Sequence, residues 1–387
     1  MRYSRIDLEI FNTILSVSPF SKINKRKFSN KILKKIYSLD LGLDADIEPI
    51  VGDYVDHLNS DMFTPLGRRL HSILSKESLS EGVRFSASAD FSGSLKEPPV
   101  IVIGLPRSGT TNLHNFMIDN FNLSGLRFWE LSSPSRVFFN KSVDEGFRRL
   151  KSFLGFYLYR YLAPSIQSMH RVNMDTYEEC WHFQKHYFLC YNYVIQLNFL
   201  QLEDFLLSSN SSVLFEEYRK FIYQTNGEMP TALKCPDHMM FLPDVVKTFP
   251  DSKIIWIHRD PFDSICSYCP MIESVWNLFF GGENKEKVGT FIQDLYSRML
   301  KKAMSDREAL DMDIVDVSFK DLVSERGSLA DSLSEKLDLS RVEKKSSKRS
   351  AKFFKNKYKF NKEEYGVSRD DVNSKLDFYI NKYSKYL

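Results

Sequence analysis

Apolar residues recur at helical spacing through the first 95 residues of the chain. The stretch SKINKRKFSNKILKKIYSL (21–39) is basic with apolar residues on one helical face, and TPLGRRLHSILSKESL (64–79) opens with a candidate helix cap at Thr64. The Ser- and Gly-rich stretch SASADFSGSLKEPP (86–99) is typical of a loop. The pattern therefore predicts a helical N-terminal region over residues 1–95.

Beyond that loop the pattern changes to short, β-branched apolar runs. VIVIG (100–104), KIIWIH (253–258) and DIVDVSF (313–319) are typical of buried parallel strands, and TNLHNFMIDNF (111–121) has helical spacing. Helical segments separate the strands. This alternation predicts an α/β fold over residues 96–387, with a P-loop-like central parallel sheet flanked by helices.

Composition narrows the class of protein. The 387 residues include 53 basic and 50 acidic side chains, and a net charge of +3 does not indicate a nucleic-acid partner. No apolar run reaches the ~20 residues that span a bilayer. Arg5, Asp7 and Glu9 interrupt the first apolar stretch, unlike a secretory signal. We therefore expect no integral membrane segment. Because five cysteines are too few for a disulfide framework, we also expect a cytoplasmic protein.

Two groups of residues have spacings found in metal or redox sites. Cys266 and Cys269 form a single CxxC, but no second CxxC completes a zinc site, and two small residues on one helical face explain the spacing equally. Glu178, His182 and His186 are spaced by four and would share a helical face, but they do not match HExxH. We expect a partly buried polar helix there and no metal.

The loop after the first predicted strand reads GLPRSGTT, residues 104–111. Its glycine spacing and final hydroxyl match the phosphate-binding pattern GxxxxGK[ST], but Thr110 replaces the lysine that neutralises β and γ phosphates. Arg107 is the only cation of the loop, and a guanidinium suits bidentate contact with phosphate or sulfate. The loop therefore predicts an anion site for a ligand without a γ-phosphate, against the alternative of a purely structural turn.

A second candidate anion site follows the strand KIIWIH. Arg259 leaves the strand end, Pro261 is a candidate helix start, and Ser267 comes eight residues after Arg259. The HRD triplet also opens the protein-kinase catalytic loop, but Ile265 stands where that loop has Asn. Two anion sites at two strand ends indicate a nucleotide with phosphates at both ends of its ribose.

These motifs make the sequence resemble sulfotransferases that use 3′-phosphoadenosine 5′-phosphosulfate, especially the bacterial-type group with an Arg-Ser-Gly-Thr-Thr loop. The resemblance extends to the block LKCPDHMMFLPDVVKTFPDSKIIWIHRDP and to the closing segment 356–383. It implies that Arg259 and Ser267 bind the 3′-phosphate. It also implies that the 5′-phosphosulfate is bound by Arg107, Ser108, Gly109, Thr110 and Thr111.

The sequence departs from that family at two places. Asn112 stands where many cytosolic members have a Trp that stacks on adenine, and the late Arg-Lys-Gly element of those members is missing. The basic run KKSSKRSAKFFKNKYK (344–359) offers a substitute cover for the 3′-phosphate, although a solvated helix face is the plainer interpretation.

The resemblance also suggests residues for catalysis. Lys234 matches a lysine that relatives aim at the sulfate, and His238 is the favoured general base, since imidazole accepts a proton near neutral pH. Relatives place the base histidine two residues after the lysine, where Pro236 stands here, so the pair Glu178 and Glu179 remains an alternative base.

Aromatic residues are concentrated between residues 121 and 200. We expect part of this region to line a pocket for a small-molecule or lipid-like acceptor with an apolar part. The sequence thus predicts sulfuryl transfer from 3′-phosphoadenosine 5′-phosphosulfate to a hydroxyl or amine, with no metal. A P-loop small-molecule kinase and a catalytically inactive nucleotide-binding relative remain alternatives.

Overall fold

The structure is a computed structural model of the chain. It describes the residues 22–42, 47–88, 93–209, 212–227, 229–282, 284–310, 312–342 and 362–387. The first twenty residues and the basic run 344–359 lie outside the described residues, so the predictions made for them stay predictions.

Four parallel strands form the central sheet, in the order β2-β1-β3-β4. Their bounds are Val100–Ile103 for β1, Ala232–Lys234 for β2, Lys253–His258 for β3 and Ile314–Ser318 for β4. The predicted parallel α/β sheet is confirmed, and its three predicted strands are present. Strand β2 was not predicted, because its three residues are too few to show an apolar pattern.

Helices surround this sheet in the described part of the chain. They are α1 (Lys25–Tyr37), α2 (Ile47–Asn59), α3 (Pro65–Ser88), α4 (Thr110–Asn120), α5 (Phe128–Ser132), α6 (Lys141–Leu162), α7 (Pro164–Met169), α8 (Trp181–Gln184), α9 (Tyr191–Leu197), α10 (Leu200–Ser208), α11 (Ser212–Asn226), α12 (Leu242–Thr248), α13 (Pro261–Phe280), α14 (Lys285–Ala309), α15 (Phe319–Ser324), α16 (Arg326–Leu337), α17 (Arg369–Lys375) and α18 (Asp377–Lys382). Short 3₁₀ turns lie at Lys185–Tyr187, Pro236–Met240, Lys362–Tyr365 and Ser384–Tyr386. None of the described helices combines the length and apolar character needed to cross a bilayer.

Two helices start where the sequence predicts, one after the cap Thr64 and one at Pro261. Thr64 Oγ1 accepts a hydrogen bond from the Gly67 amide at 2.9 Å, which satisfies a free donor at the start of α3. Helix α13 begins at Pro261 after Asp260, whose carboxylate accepts from the Phe262 amide at 2.9 Å. The loop predicted over residues 86–99 starts later than expected, because α3 continues to Ser88.

Alternate strand residues divide the interior into two cores. Ile101 and Ile103 of β1 face a large core that also takes in the N-terminal helices and most of the chain between α8 and α14. Val100 and Val102 point the other way, into a smaller core formed with α4 and α16. Since both faces of the sheet are covered, both alternating sets of residues in β1 are apolar, as is typical of a parallel sheet.

The C-terminal segment is fastened to the carboxyl end of the sheet. His258, at the end of β3, hydrogen-bonds Tyr379 Oη through Nδ1 at 2.9 Å and Asp316 Oδ1 through Nε2 at 2.8 Å. Arg307 of α14 donates to the same Asp316 carboxylate at 2.7 Å. This network ties β3, β4, α14 and α18 together.

Helix α3 lies unusually close to its neighbours. A Cβ built at Gly67 would stand 2.2 Å from the Phe279 carbonyl oxygen, and one at Gly82 would stand 2.2 Å from the His186 carbonyl oxygen. Such distances are too short for any side chain, so backbone touches backbone at both positions. The two glycines therefore set how near α3 lies to α13 and to residues 185–187.

We expect Gly82→Ala to destabilise the protein by about 2–4 kcal/mol, because the new methyl group would collide with a fixed carbonyl. Gly146→Ala is the matched control, since Gly146 also lies in a helix but has open space around its Cβ position. Alanine there should raise stability by up to ~1 kcal/mol through helix propensity. Urea unfolding of both variants checks this, and equal effects would contradict the close approach.

Candidate active site

The loop between β1 and α4 lies directly against the ends of two other strands. Gly104 and Gly109 have positive φ angles of 150° and 105°. A Cβ at Gly104 would stand 2.8 Å from the Ile257 carbonyl oxygen, and one at Gly109 would stand 2.5 Å from the Phe319 ring. Only glycine fits at both positions, and the loop thereby opens toward the carboxyl edge of the sheet.

The two predicted anion sites meet in the structure. Arg107 Nε donates to Ser267 Oγ at 3.2 Å, and Arg107 Nη1 donates to the Met169 carbonyl at 3.3 Å. Arg259 Nη1 donates to the Arg107 carbonyl at 2.9 Å, and its guanidinium lies 4.6 Å from the centre of the Phe319 ring. Burial, and then the neighbouring Arg259 charge, lower the pKa of Arg107. An anion bound between the two guanidinium groups would relieve this unfavourable charge pair.

The other loop residues differ in orientation. Thr110, Thr111 and Asn112 line a large cavity beside the loop. Ser108 is 1% exposed, and among the described residues its hydroxyl has no hydrogen-bond partner. Its Oγ lies 2.9 Å from the position that a Cβ at Gly104 would take, so it points beneath the loop.

Lys234, at the end of β2, is fully buried beside this loop. Its Nζ donates to Glu179 Oε1 at 2.8 Å and to Thr111 Oγ1 at 3.2 Å. Burial acts against the charged form, but the Glu179 and Glu178 carboxylates outweigh it and raise the pKa of Lys234. The other Glu179 oxygen accepts from the Trp181 indole at 3.1 Å. A charged ammonium group is therefore fixed at the foot of the loop.

The two adjacent glutamates have different surroundings. Glu179 is among the described residues that line the cavity, and Glu178 is not. Glu178 accepts hydrogen bonds from His170 and Thr176, each at 3.2 Å. Although burial alone would raise it, the nearby His170 and Lys234 charges lower the pKa of Glu178 to about 2. Glu178 is thus ionised at neutral pH and lies away from the cavity, whereas Glu179 faces the cavity.

The structure does not bring His238 to the other predicted site residues. It lies in the 3₁₀ turn Pro236–Met240 with 1% of its surface exposed, and its ring contacts Phe215. Neither ring nitrogen has a partner among the described residues, and burial lowers the pKa of His238 to about 3. The turn directs this side chain into the apolar core, and this placement argues against a role as general base.

The same turn presents Asp237 to the cavity, a residue that sequence reasoning missed. Asp237 is 1% exposed, lines the cavity, and has one carboxyl oxygen without a partner in the described chain. Burial, and then repulsion by Glu179, raise the pKa of Asp237 to about 8. At neutral pH Asp237 is therefore a neutral carboxylic acid close to the charged pair of Lys234 and Glu179. The only sequence signal was its position between Lys234 and His238.

The cavity has a volume of about 1090 Å³ and a largely aromatic and aliphatic wall. The predicted aromatic region 121–200 supplies five of its rings. They are Phe128, Phe156, Tyr159, Trp181 and Tyr193. Other rings of the same region lie in the core, such as Phe183 stacked on Phe221. Helix α3 of the N-terminal region forms a further wall through His71, Ser78 and Glu81, which the sequence did not indicate.

The residues considered for a metal site are separated. His186 hydrogen-bonds Ser78 Oγ at 3.0 Å and the Leu131 carbonyl at 3.1 Å, whereas Glu178 pairs with His170. The helix expected here is short, because α8 ends at Gln184. Cys266 and Cys269 are both buried on α13.

The family model described as Sulfotransferase family matches residues 98–343, which is more than half of the chain. The chain belongs to the sulfotransferase family. The predicted family is thereby confirmed, and the chain is a transferase by family. No curated protein sequence matches this sulfotransferase significantly.

Solved structures show the same fold. The sulfotransferase is similar to sulfotransferase STF1 from Mycobacterium tuberculosis H37Rv, with a TM-score of 0.69, 16% identity, and coverage of 96% of this chain and 97% of that one. It is also similar to sulfotransferase STF9 from Mycobacterium avium, with a TM-score of 0.69, 19% identity, and coverage of 86% and 90%.

Asp237 gives the sulfotransferase a testable pH dependence. Its pKa is about 8 when folded, against an ordinary 3.8, so between these pH values the folded state holds a proton that the unfolded state releases. Stability of the wild type therefore falls as pH rises through this window. Asp237→Asn has no such titration, and its stability relative to wild type should increase by about 2–5 kcal/mol between pH 5 and pH 8.

Thermal and urea unfolding across pH 5–8 measure this difference. The exposed Asp251→Asn is the matched control and should follow wild type at every pH. A pH-independent difference for Asp237→Asn would show that Asp237 is ionised in the folded protein at neutral pH.

Proposed function

We propose that this protein transfers a sulfuryl group from 3′-phosphoadenosine 5′-phosphosulfate to a hydroxyl or amine of an acceptor with an apolar part. The observation that carries the proposal is the buried Lys234, held between Thr111 of the phosphate-type loop and Glu179 of the cavity wall. The Lys234 ammonium group thus connects the loop that would bind the donor with the cavity wall that would bind the acceptor. The family supports transfer of this type.

Two cationic groups supply the donor site in this proposal. Arg107 and the amides at the start of α4 bind the 5′-phosphosulfate, since a helix N-terminus and a guanidinium both favour anions. Thr110 and Thr111 flank that position in the cavity wall. Arg259 and Ser267 bind the 3′-phosphate, close to Arg107 because all three are joined by hydrogen bonds. Ser108 is buried and does not line the cavity, so we leave it out of the donor contacts.

Glu179 and Lys234 carry the transfer itself. Glu179 takes the proton from the acceptor hydroxyl. The acceptor oxygen forms a bond to sulfur, and the bond between sulfur and the bridging oxygen of the donor breaks. Lys234 and Arg107 stabilise the negative charge that grows on the departing phosphate oxygen. We choose Glu179 over His238 and Glu178 because it alone of the three lines the cavity. This chemistry needs no metal ion.

The cavity suits two ligands at once. Its volume of about 1090 Å³ exceeds the upper end of the ~300–1,000 Å³ of ordinary small-molecule sites. Its loop end is basic, and the wall formed by α13 is largely apolar, with Tyr268, Met271, Ile272, Val275 and Phe279. An acceptor with an aromatic or aliphatic body fits that wall. The cysteines are buried thiols that form no disulfide among the described residues, which also fits the predicted cytoplasmic location.

Binding of 3′-phosphoadenosine 5′-phosphate tests the donor site. A ligand that binds only the folded state at 100 times its Kd stabilises it by about 2.7 kcal/mol, which thermal unfolding detects. Arg259→Ala should weaken this binding by about 10- to 100-fold, since it removes a charge-assisted contact. Arg219→Ala, an exposed arginine of α11 paired with Glu216, is the matched control and should bind normally.

ATP with magnesium is the competing ligand in the same measurement. Equal or greater stabilisation by ATP with magnesium would favour the kinase alternative, although Thr110 replaces the lysine that kinase-type loops use. Normal binding of the bisphosphate by Arg259→Ala would remove Arg259 from the donor site.

The base assignment predicts a contrast between two isosteric changes. Glu179→Gln should lower turnover by about 100-fold or more, because an amide cannot accept the acceptor proton. Its affinity for 3′-phosphoadenosine 5′-phosphate should change less than about threefold. His238→Gln should retain turnover per folded molecule, since the His238 ring is buried away from the cavity.

Single-turnover rates with a phenol acceptor, corrected for the folded fraction, measure both variants. Loss of turnover in His238→Gln with retention in Glu179→Gln would return the base to His238. Intact donor binding without turnover in the wild type, across a broad acceptor screen, would favour the catalytically inactive alternative.

A further inference from the structure

Helix α6 faces the cavity on one side and solvent on the opposite side. Its inner face lines the cavity through Ser152, Phe156 and Tyr159. Its outer face carries a stripe of large apolar side chains at helical spacing, each between 42% and 60% exposed. These are Val143, Phe147, Leu150, Leu154, Leu158 and Tyr161. A helix that only covered a cavity would be polar on its outer side.

The stripe continues into the segment that precedes the helix. Val137 and Phe138 are 52% and 43% exposed, and Phe139 is fully exposed. Single exposed apolar residues are ordinary on protein surfaces, but contiguous patches mark sites of interaction with proteins or membranes. Here the patch follows one 22-residue helix, about 33 Å long.

The charge around this stripe is strongly one-sided. Residues 133–171 contain seven Arg and Lys and two Asp and Glu, whereas the whole chain is nearly balanced at +3. The helix pairs Asp144 with Arg148 and Glu145 with Arg149, and acidic residues of other segments pair with Arg149 and Lys151. The cations Arg136, Lys141 and Arg160 are exposed, and Arg160 also lines the cavity. The surface therefore combines apolar side chains with an excess of positive charge.

We propose that the outer stripe of α6 docks this protein on an anionic lipid surface. Helices that lie in the plane of a membrane interface combine an apolar stripe of Phe and Leu with flanking Lys and Arg, as α6 does. The apolar side chains enter the boundary between headgroups and acyl chains, and the basic side chains contact anionic headgroups. No membrane-crossing segment is needed.

A second copy of the chain fits this face less well. A symmetric dimer built on α6 would place two basic patches against each other, and like charges repel at an interface. The run 344–359, which lies outside the described residues, is also basic and is disfavoured as a cover for the same reason. Lipid phosphates supply the opposite charge.

Sedimentation with lipid vesicles tests the proposal on the full chain. We expect binding to phosphatidylcholine vesicles that contain phosphatidylglycerol, weaker binding to phosphatidylcholine alone, and weaker binding as salt is raised. The triple variant Leu150→Gln, Leu154→Gln, Leu158→Gln should lower the partition coefficient by about 100-fold or more. The control Leu200→Gln, Leu207→Gln, Val323→Gln removes exposed apolar residues elsewhere and should bind within about twofold of wild type.

Three results would overturn the proposal. The wild type fails to bind anionic vesicles, or the α6 variant binds as well as wild type. The third result is that sedimentation velocity shows a wild-type dimer, the α6 variant is a monomer, and the wild type does not bind vesicles. That result would assign this face to a second copy of the chain. Cooperative urea unfolding with a wild-type midpoint shows that both triple variants are folded.

Docking on this face would bring the cavity to the lipid surface, because α6 forms both the outer stripe and part of the cavity wall. This step rests on the proposed function and specifies its acceptor as a membrane-borne amphiphile with a hydroxyl headgroup. Turnover of dodecylphenol in anionic vesicles should fall in the α6 variant, whereas turnover of soluble phenol should not. Equal effects on both acceptors would refute delivery from the membrane, and failure of donor binding in the wild type would refute only the proposed function.

Discussion

The ammonium group of Lys234 is the constraint on which the site depends. A fully buried charge is tolerated only when it is paired and hydrogen-bonded, and here Glu179 and Thr111 supply the partners. Each partner belongs to a different part of the chain. The charge therefore holds β2, the start of α4 and the segment before α8 in one arrangement. A reaction at this point would take place between groups whose positions are fixed by that pairing.

The fold was predictable to the extent that its elements are long or strongly patterned. Strands β1, β3 and β4 are mainly apolar runs, and Thr64 and Pro261 mark the starts of two helices. Strand β2 was missed because three residues carry no period. The end of α3 was misjudged because Ser86, Ala87 and Ser88 resemble the Ser- and Gly-rich stretch that follows them.

The candidate site was predictable where backbone geometry fixes the side chain. Arg107, Arg259 and Ser267 come together because strand ends of a parallel sheet share one edge. His238 and Asp237 show the opposite case. They are neighbours in a 3₁₀ turn, and the direction of that turn decides which one meets the cavity and which one enters the core. Sequence favoured the histidine for its usual pKa, but burial removes that advantage.

The contribution of α3 to the cavity has a consequence for how the protein is divided. The family match begins at residue 98, yet one wall of the cavity comes from residues before it, including His71 and Ser78. The predicted boundary near residue 95 stays a prediction, and the cavity needs residues from both sides of it. A fragment chosen to start at the family match would leave the acceptor end of the cavity open to water, however well its donor loop folded.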